Sequence, residues 1–398
     1  LRGSEDIFMV KERPALFYTL ALATGVLLYS KWHFLVGFLD LLTIAVATVV
    51  VVSAICCFII KAGSRNASIT VAMMLSGMLC GAVLYAVHDR IDFSAGNEWK
   101  TNIANGAAAV REKVTDIYIA NGLEGNELAV VSAMTLGDKR HIDRNLRNDY
   151  SKAGVAHVLA LSGTHLAIFY FILMLIAGKG SVAARFVVVG TIWGYVVIVG
   201  MPVSAVRAAM MLTMFTLADV MRRGYDRMDV LVTTVAVMIL VEPRVVLDVG
   251  FQLSVMSVGA IIVICPLLNG LLPYDFLTRH RRLSKIWGMV SVGIAAQIGT
   301  APLVAYYFGT LPCWFVVSNL VAVPLTTVLL YGAVAVVALW HLPLLQLWMV
   351  KAVGGIAWLL NVVLGYIANL PLAAIEGVRL SELQVVISYI MIAVSLKI

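Results

Sequence analysis

Apolar residues fall along this chain in long runs separated by short polar breaks. The runs cover residues 14–30, 34–60 and 68–87. After a polar interval, apolar character returns at 153 and continues at about 183–200, 203–221, 229–243, 246–269, 286–308, 313–340, 345–370 and 382–396. Each run is near the ~20 residues that a helix needs to cross ~30 Å of hydrocarbon. The pattern predicts an all-α, polytopic integral membrane protein with about 10–12 transmembrane helices, some broken or re-entrant. Lys11 and Arg13 precede the first run in the manner of a signal sequence, but no small-residue cleavage site follows, so a retained helix is expected.

Residues 88–152 are the one sizeable polar interval. Within it, Ala107, Val110, Val114, Ile117 and Tyr118 recur at helical spacing, which predicts an amphipathic helix. Asn126 is placed to cap a second helix that Gly137 ends. Two or three surface helices are expected there, with no strands. The chain thus divides into N-terminal membrane helices at 1–87, a mainly helical segment at 88–152 and a membrane core at 153–398.

Composition agrees. Hydrophobic residues make up 61% of the 398 and charged residues only 13%, about half the share of a soluble domain. The net charge of +7 sits mostly in short loops, where Lys and Arg set orientation, so it carries no argument for nucleic acid. Lys61 and Arg65, Lys179 and Arg185, Arg222, Arg223 and Arg227, and Arg279, Arg281, Arg282 and Lys285 all fall on one side. The positive-inside rule makes that side cytoplasmic, places both termini inside and leaves 88–152 outside. None of the five cysteines has metal spacing or a disulfide framework. The chain opens on Leu1 rather than Met.

Polar residues inside the runs are the candidates for chemistry, because groups sunk in hydrocarbon are costly and mark function by default. The stretch 153–170 carries His157, Ser162, Gly163 and His165, and Ser162-Gly163 weakens a helix in mid-segment. Arg207, Asp248, Gln252 and Asn319 lie a few residues in from the outer ends of their runs, with His165 and Gln297 nearer the midplane. This distribution suggests a funnel open to the outside. Each residue also has a plainer reading. Arg207 can snorkel or pair with Asp248, and Gln252, Gln297 and Asn319 can bond between helices. Asp40 and Asp219 lie at run ends, while Pro302 and Pro324 imply kinks.

Catalytic signatures are weak. Ser162 and His165 are three apart, with no carboxylate nearby in sequence to orient the imidazole. Gly178-Lys179-Gly180-Ser181 is not a phosphate loop, since Leu173 stands where the first glycine is needed. No metal-hydrolase pattern is present, and the residues point to no enzyme, metal or cofactor.

Several motifs together resemble the ComEC family of bacterial competence membrane proteins. They are Gly154, His157, Leu159, Ser162, Gly163 and His165; Arg207-Ala208 with Met211; Pro243, Asp248 and Gly250-Phe251-Gln252-Leu253-Ser254; and Gln297, Pro302, Phe308, Asn319 and Pro324. Gly137-Asp138-Lys139 resembles the segment leading into the first motif, so the likeness covers about residues 125–395. It implies a channel passing single-stranded DNA through the bacterial inner membrane into the cytoplasm during natural transformation. An extracytoplasmic DNA receptor and a cytoplasmic helicase or ATPase are its implied partners, besides the lipid bilayer; the oligomeric state is left open. The residues implied to line the pore or touch DNA are His157, Ser162, Gly163, His165, Arg207, Asp248, Gln252, Gln297 and Asn319. Phe251, Tyr307 and Phe308 are candidates for stacking on bases. The chain departs from the family in three ways. The 88–152 stretch is too short and too helical for the family's OB-like domain. No His-x-His-x-Asp-His of its metallo-β-lactamase-like tail occurs, and Thr164 replaces the usual apolar residue. The alternative is a small-solute or ion transporter with a proton-linked site at His165, Arg207 and Asp248. A serine hydrolase at Ser162 and a non-conducting assembly partner are further readings.

Overall fold

The computed structural model describes residues 14–32, 77–78, 80–85, 98–178, 181–220 and 226–396. The run at 34–60, most of that at 68–87, Asp40, and the loop cations Lys61, Arg65, Lys179, Arg222 and Arg223 lie outside the described residues. In chain order the helices are α1 (Pro14–Trp32), α2 (Glu98–Ala120), α3 (Gly125–Leu136), α4 (Arg144–Lys152), α5 (Gly163–Ala177), α6 (Val182–Ile198) and α7 (Val203–Val220). They continue with α8 (Arg227–Val241), α9 (Val249–Asn269), α10 (Tyr274–Arg279), α11 (Arg281–Phe308), α12 (Phe315–Ala338), α13 (Pro343–Ala368) and α14 (Glu382–Ser395).

Among the described residues, α7, α9, α11, α12 and α13 are long and apolar enough to cross a membrane. Four shorter apolar helices fall in α1, α5, α6 and α14. Phe171, Leu175 and Val394 are 69%, 82% and 69% exposed, as expected where the solvent is lipid rather than water. The all-α, multi-pass expectation therefore holds. Pro302 and Pro324 lie inside α11 and α12, as Pro266 does inside α9.

The chain forms two compact units, Leu1–Asn97 with Arg223–Val255, and Glu98–Arg222 with Met256–Ile398. In the first, α1 packs on α8 and on the 3-10 turn Pro243–Leu247. Gly25 lies against the Met78 carbonyl and Gly81 against the Leu22 carbonyl, leaving no room for a Cβ at either position. Small residues let membrane helices approach backbone to backbone in this way.

The second unit holds two cores. In one, α2, α3 and α4 pack against α12 and α13 through Tyr118, Met134, Tyr150, Leu329, Leu360 and Leu364. In the other, α5, α6 and α7 close around Leu166, Ile192, Val196, Ala205 and Ala209. Arg185 at the start of α6 pairs with Asp219 at the end of α7, which places Asp219 at a helix end as expected.

The polar interval departs from expectation. Helix α2 forms, and Gly137 ends α3 in a left-handed conformation at φ 69°, which suits a residue without Cβ. Asn126, however, lies inside α3; the cap position is Glu124, with extended backbone and no side-chain bond. Nor is α3 a surface helix, because Leu128 through Leu136 are all buried. It lies between other helices, and Leu123 just before it fits into the space left by Gly354, midway along α13. A further feature is a two-stranded antiparallel ribbon, β1 (Thr310–Pro312) with β2 (Ala374–Glu376), pairing Leu311 with Ile375. Lys152 at the end of α4 reaches Glu376 on this ribbon.

Candidate functional site

The stretch from Ala153 to Ser162 is not the opening of a membrane helix. A 3-10 turn occupies Ala156–Val158, and the helix starts only at Gly163. Ser162 is its N-cap, with extended backbone at φ −114° and ψ 168°. Serine favours that position because its short polar side chain serves the unpaired first turn. The Ser162-Gly163 pair therefore marks a helix boundary rather than a break in mid-helix. For the same reason His165 sits in the first turn and not near the middle of a span.

His165 completes the cap. Its Nδ1 accepts the backbone N–H of Ser162 at 3.0 Å and lies 2.8 Å from the Ser162 hydroxyl. A nitrogen that accepts a backbone N–H bears no proton, so the neutral ring carries its proton on Nε2. That Nε2–H is buried without a hydrogen-bond partner, in a side chain only 1% exposed. No carboxylate among the described residues takes it, and the Nδ1 lone pair is shared between two donors of one residue. This geometry is a cap and not a base poised beside a nucleophile.

Three helix starts gather around this segment. Gly154, at φ 79°, approaches Pro312 and Phe315 so closely that an added Cβ would lie 2.8 Å from the Pro312 Cβ. Phe315 opens α12, whose second turn carries the half-buried Asn319. On the other side, the Ser204 hydroxyl donates to the Leu161 carbonyl at 2.6 Å. An added Cβ on Gly163 would lie 3.6 Å from the Ala208 Cβ. Ser204 and Ala208 flank Arg207 in the first two turns of α7, and Arg207 is 3% exposed. His165, Arg207 and Asn319 are thus early residues of three helices that start around one loop. Helix N-termini carry partial positive charge, and a buried guanidinium adds a full one.

His157 belongs to the same segment, in its 3-10 turn, and is exposed. Other expected residues stand elsewhere. Gln297 is half-buried on α11, and neither its amide nor that of Asn319 is sealed among the described residues. Asp248 and Gln252 belong to the first unit. There the Asp248 carboxylate accepts the Phe251 N–H at 2.6 Å, and the Gln252 amide donates to the Val246 carbonyl at 2.9 Å. Both serve the junction between the Pro243–Leu247 turn and α9. Phe251 is 4% exposed and has no open face for a base, whereas Tyr307 and Phe308 are 38% and 59% exposed. Ser204 is not legible as a site residue in the sequence, since one hydroxyl early in an apolar helix has no distinguishing spacing. Among the described residues no group of three His, Cys, Asp or Glu side chains could hold a metal ion.

Comparison with known proteins bears on this geometry. The profile of the family described as Competence protein matches residues 134–397. ComE operon protein 3 of Bacillus subtilis is 26% identical over 221 residues, which are 54% of this chain and 27% of that protein. Recombination protein 2 of Haemophilus influenzae is 24% identical over 213 residues, 50% of this chain and 26% of that protein. The matched stretch spans about a quarter of the length of either relative. No solved structure matches.

Proposed function

We propose that this chain, which belongs to the Competence protein family, is a channel that passes single-stranded DNA through the bacterial inner membrane into the cytoplasm during natural transformation. One observation carries the reading. Arg207, 3% exposed in an apolar helix, lies beside a loop that also presents the buried Nε2–H of His165 and the start of α12. A polyanion leaving water needs cations and donors to replace its hydration and counterions, and these are groups of that kind. The half-open amides of Asn319 and Gln297 add sequence-neutral donors, while Tyr307 and Phe308 offer exposed rings for unpaired bases.

In this reading the 153–398 stretch is the conducting core and 88–152 its extracytoplasmic part. Both termini then lie in the cytoplasm, in keeping with the positive-inside rule. Strand capture falls to an outside receptor, and directionality to a cytoplasmic helicase or ATPase. The chain does no covalent chemistry. The deciding experiment follows uptake of labelled linear DNA in a strain whose copy of this chain is disrupted and then restored. Uptake should vanish and return. Normal uptake without the chain overturns the proposal, and flux of a small solute in vesicles free of any DNA system would favour the transporter alternative.

A further inference from the structure

A cavity of about 520 Å³ lies at the junction of α2, the loop after α3 and the loop after α6. This is within the range of about 300–1,000 Å³ typical of small-ligand sites. Its charged lining is Arg111, Lys139 and Arg140 against Glu112 and Asp138. The two acids are not evenly shared. Arg140 grips Asp138 with its Nε at 3.0 Å and Nη2 at 2.6 Å, and Asp138 and then Glu112 hold the Arg140 pKa above its usual value. Among the described residues, the Lys139 ammonium is left with no bonded partner. Arg111 spends Nη1 on the Ile198 carbonyl, which closes the end of α6 and leaves the rest of its fork for the cavity.

The backbone holds Arg111 in place. Gly200 has φ 88°, and an added Cβ there would lie 3.3 Å from Arg111 Nη1, so the guanidinium occupies the space a side chain would take. The cavity also adjoins the candidate site. An added Cβ on Gly137 would lie 3.5 Å from the Val199 carbonyl and 3.9 Å from Leu161 Cδ1. Leu161 precedes the Ser162 cap, and Val199-Gly200 leads into the helix that carries Arg207.

We propose that this cavity is a foothold for a phosphodiester of the incoming single strand, held by Lys139 and Arg111 on its way to Arg207. The inference rests on the channel reading and adds a binding site to it. Two cations without carboxylate partners among the described residues, in a half-open polar hollow, match a phosphate. Continuity with the Ser162 and Arg207 loops favours a strand over a lipid headgroup.

The test uses the full chain in nanodiscs of neutral phosphatidylcholine and the binding of labelled oligo-dT over a range of salt. Each phosphate of a single strand that a variant no longer neutralises lowers the slope of log affinity against log salt by about 0.7. Lys139→Gln with Arg111→Gln should lower it by about that amount, since one phosphate is no longer neutralised, and Lys139→Gln alone by less. Lys139→Glu should weaken binding further than Lys139→Gln. Unchanged slope and affinity in Lys139→Gln and in the double variant, with binding abolished in Arg207→Met, overturn the foothold and leave the channel standing. An effect of Lys139→Gln confined to retention of anionic lipid assigns the cavity to a headgroup and also overturns it. Wild-type chain that does not bind oligo-dT at all removes the channel reading together with the foothold.

Discussion

His165 Nδ1 accepts the Ser162 backbone N–H at 3.0 Å and lies 2.8 Å from the same residue's hydroxyl, so one imidazole edge closes the start of α5 while the other points into the protein. Removing the cap should cost about 1 kcal/mol, the usual worth of an N-cap. Ser162→Ala keeps the backbone bond to Nδ1, so it should lower the thermal midpoint less than His165→Ala and leave DNA uptake near wild type. A serine-directed fluorophosphonate should not label Ser162. Stoichiometric labelling would revive the hydrolase reading.

Arg207 separates charge from packing. Arg207→Met retains most of the volume and removes the guanidinium, and it should lower uptake about tenfold or more, since a hydrogen bond to a charged group is worth about 1.5–3 kcal/mol. Membrane abundance should stay normal. Normal uptake at normal abundance takes Arg207 out of the pathway.

Gly154 and Gly178 both have positive φ, at 79° and 75°, but only Gly154 faces a neighbour within contact range. Gly178, at φ 75° and ψ 154°, lies where only glycine is at ease, so Gly178→Ala should cost about 1–3 kcal/mol from the backbone alone. Gly154→Ala adds a clash with Pro312 and Phe315 and should exceed it clearly. Melting of the two variants in detergent gives the comparison, and equal midpoints would mean that the ribbon yields freely.

Asp138 supplies the pH dependence. Its hydrogen bond to the Arg140 guanidinium holds the carboxyl below its ordinary value, against the opposing effect of burial. A depressed folded pKa contributes stability that is complete above the unfolded value of about 3.9 and is lost as pH falls through the folded one. Acid should therefore loosen the loop after α3. Asp138→Asn should lower the midpoint at pH 7 and flatten its dependence below about pH 4. An unchanged acid limb in the variant would assign that limb to other carboxylates.

Much of this is readable from residue pattern, and the failures share a cause. Span lengths follow from bilayer thickness, and Gly137 follows from the geometry of helix ends, so both survive without tertiary information. The local bonds that Asp248 and Gln252 make at the start of α9 are not legible in the sequence, because depth in an apolar run does not tell which backbone group a side chain meets. Asn126 is a good capping type, yet Gly125 at φ 59° already belongs to the helix and moves the start upstream. Helix α3 reads as a surface element because its nine buried residues include Ser132 and Thr135 and fall short of a span. Its burial comes from neighbours distant in sequence, as does the juxtaposition of Gly154 with Phe315.

The fit of Leu123 into the space at Gly354 also sets a timetable. Translation at about 5–20 residues per second leaves α3 waiting roughly 10–40 s before α13 emerges. Until then the α3 flank that α13 covers has no permanent neighbour. The α12–α13 hairpin must close over a segment translated well before it. A nascent chain halted before Pro343 should expose 98–152 to protease, and release through Ala368 should protect it.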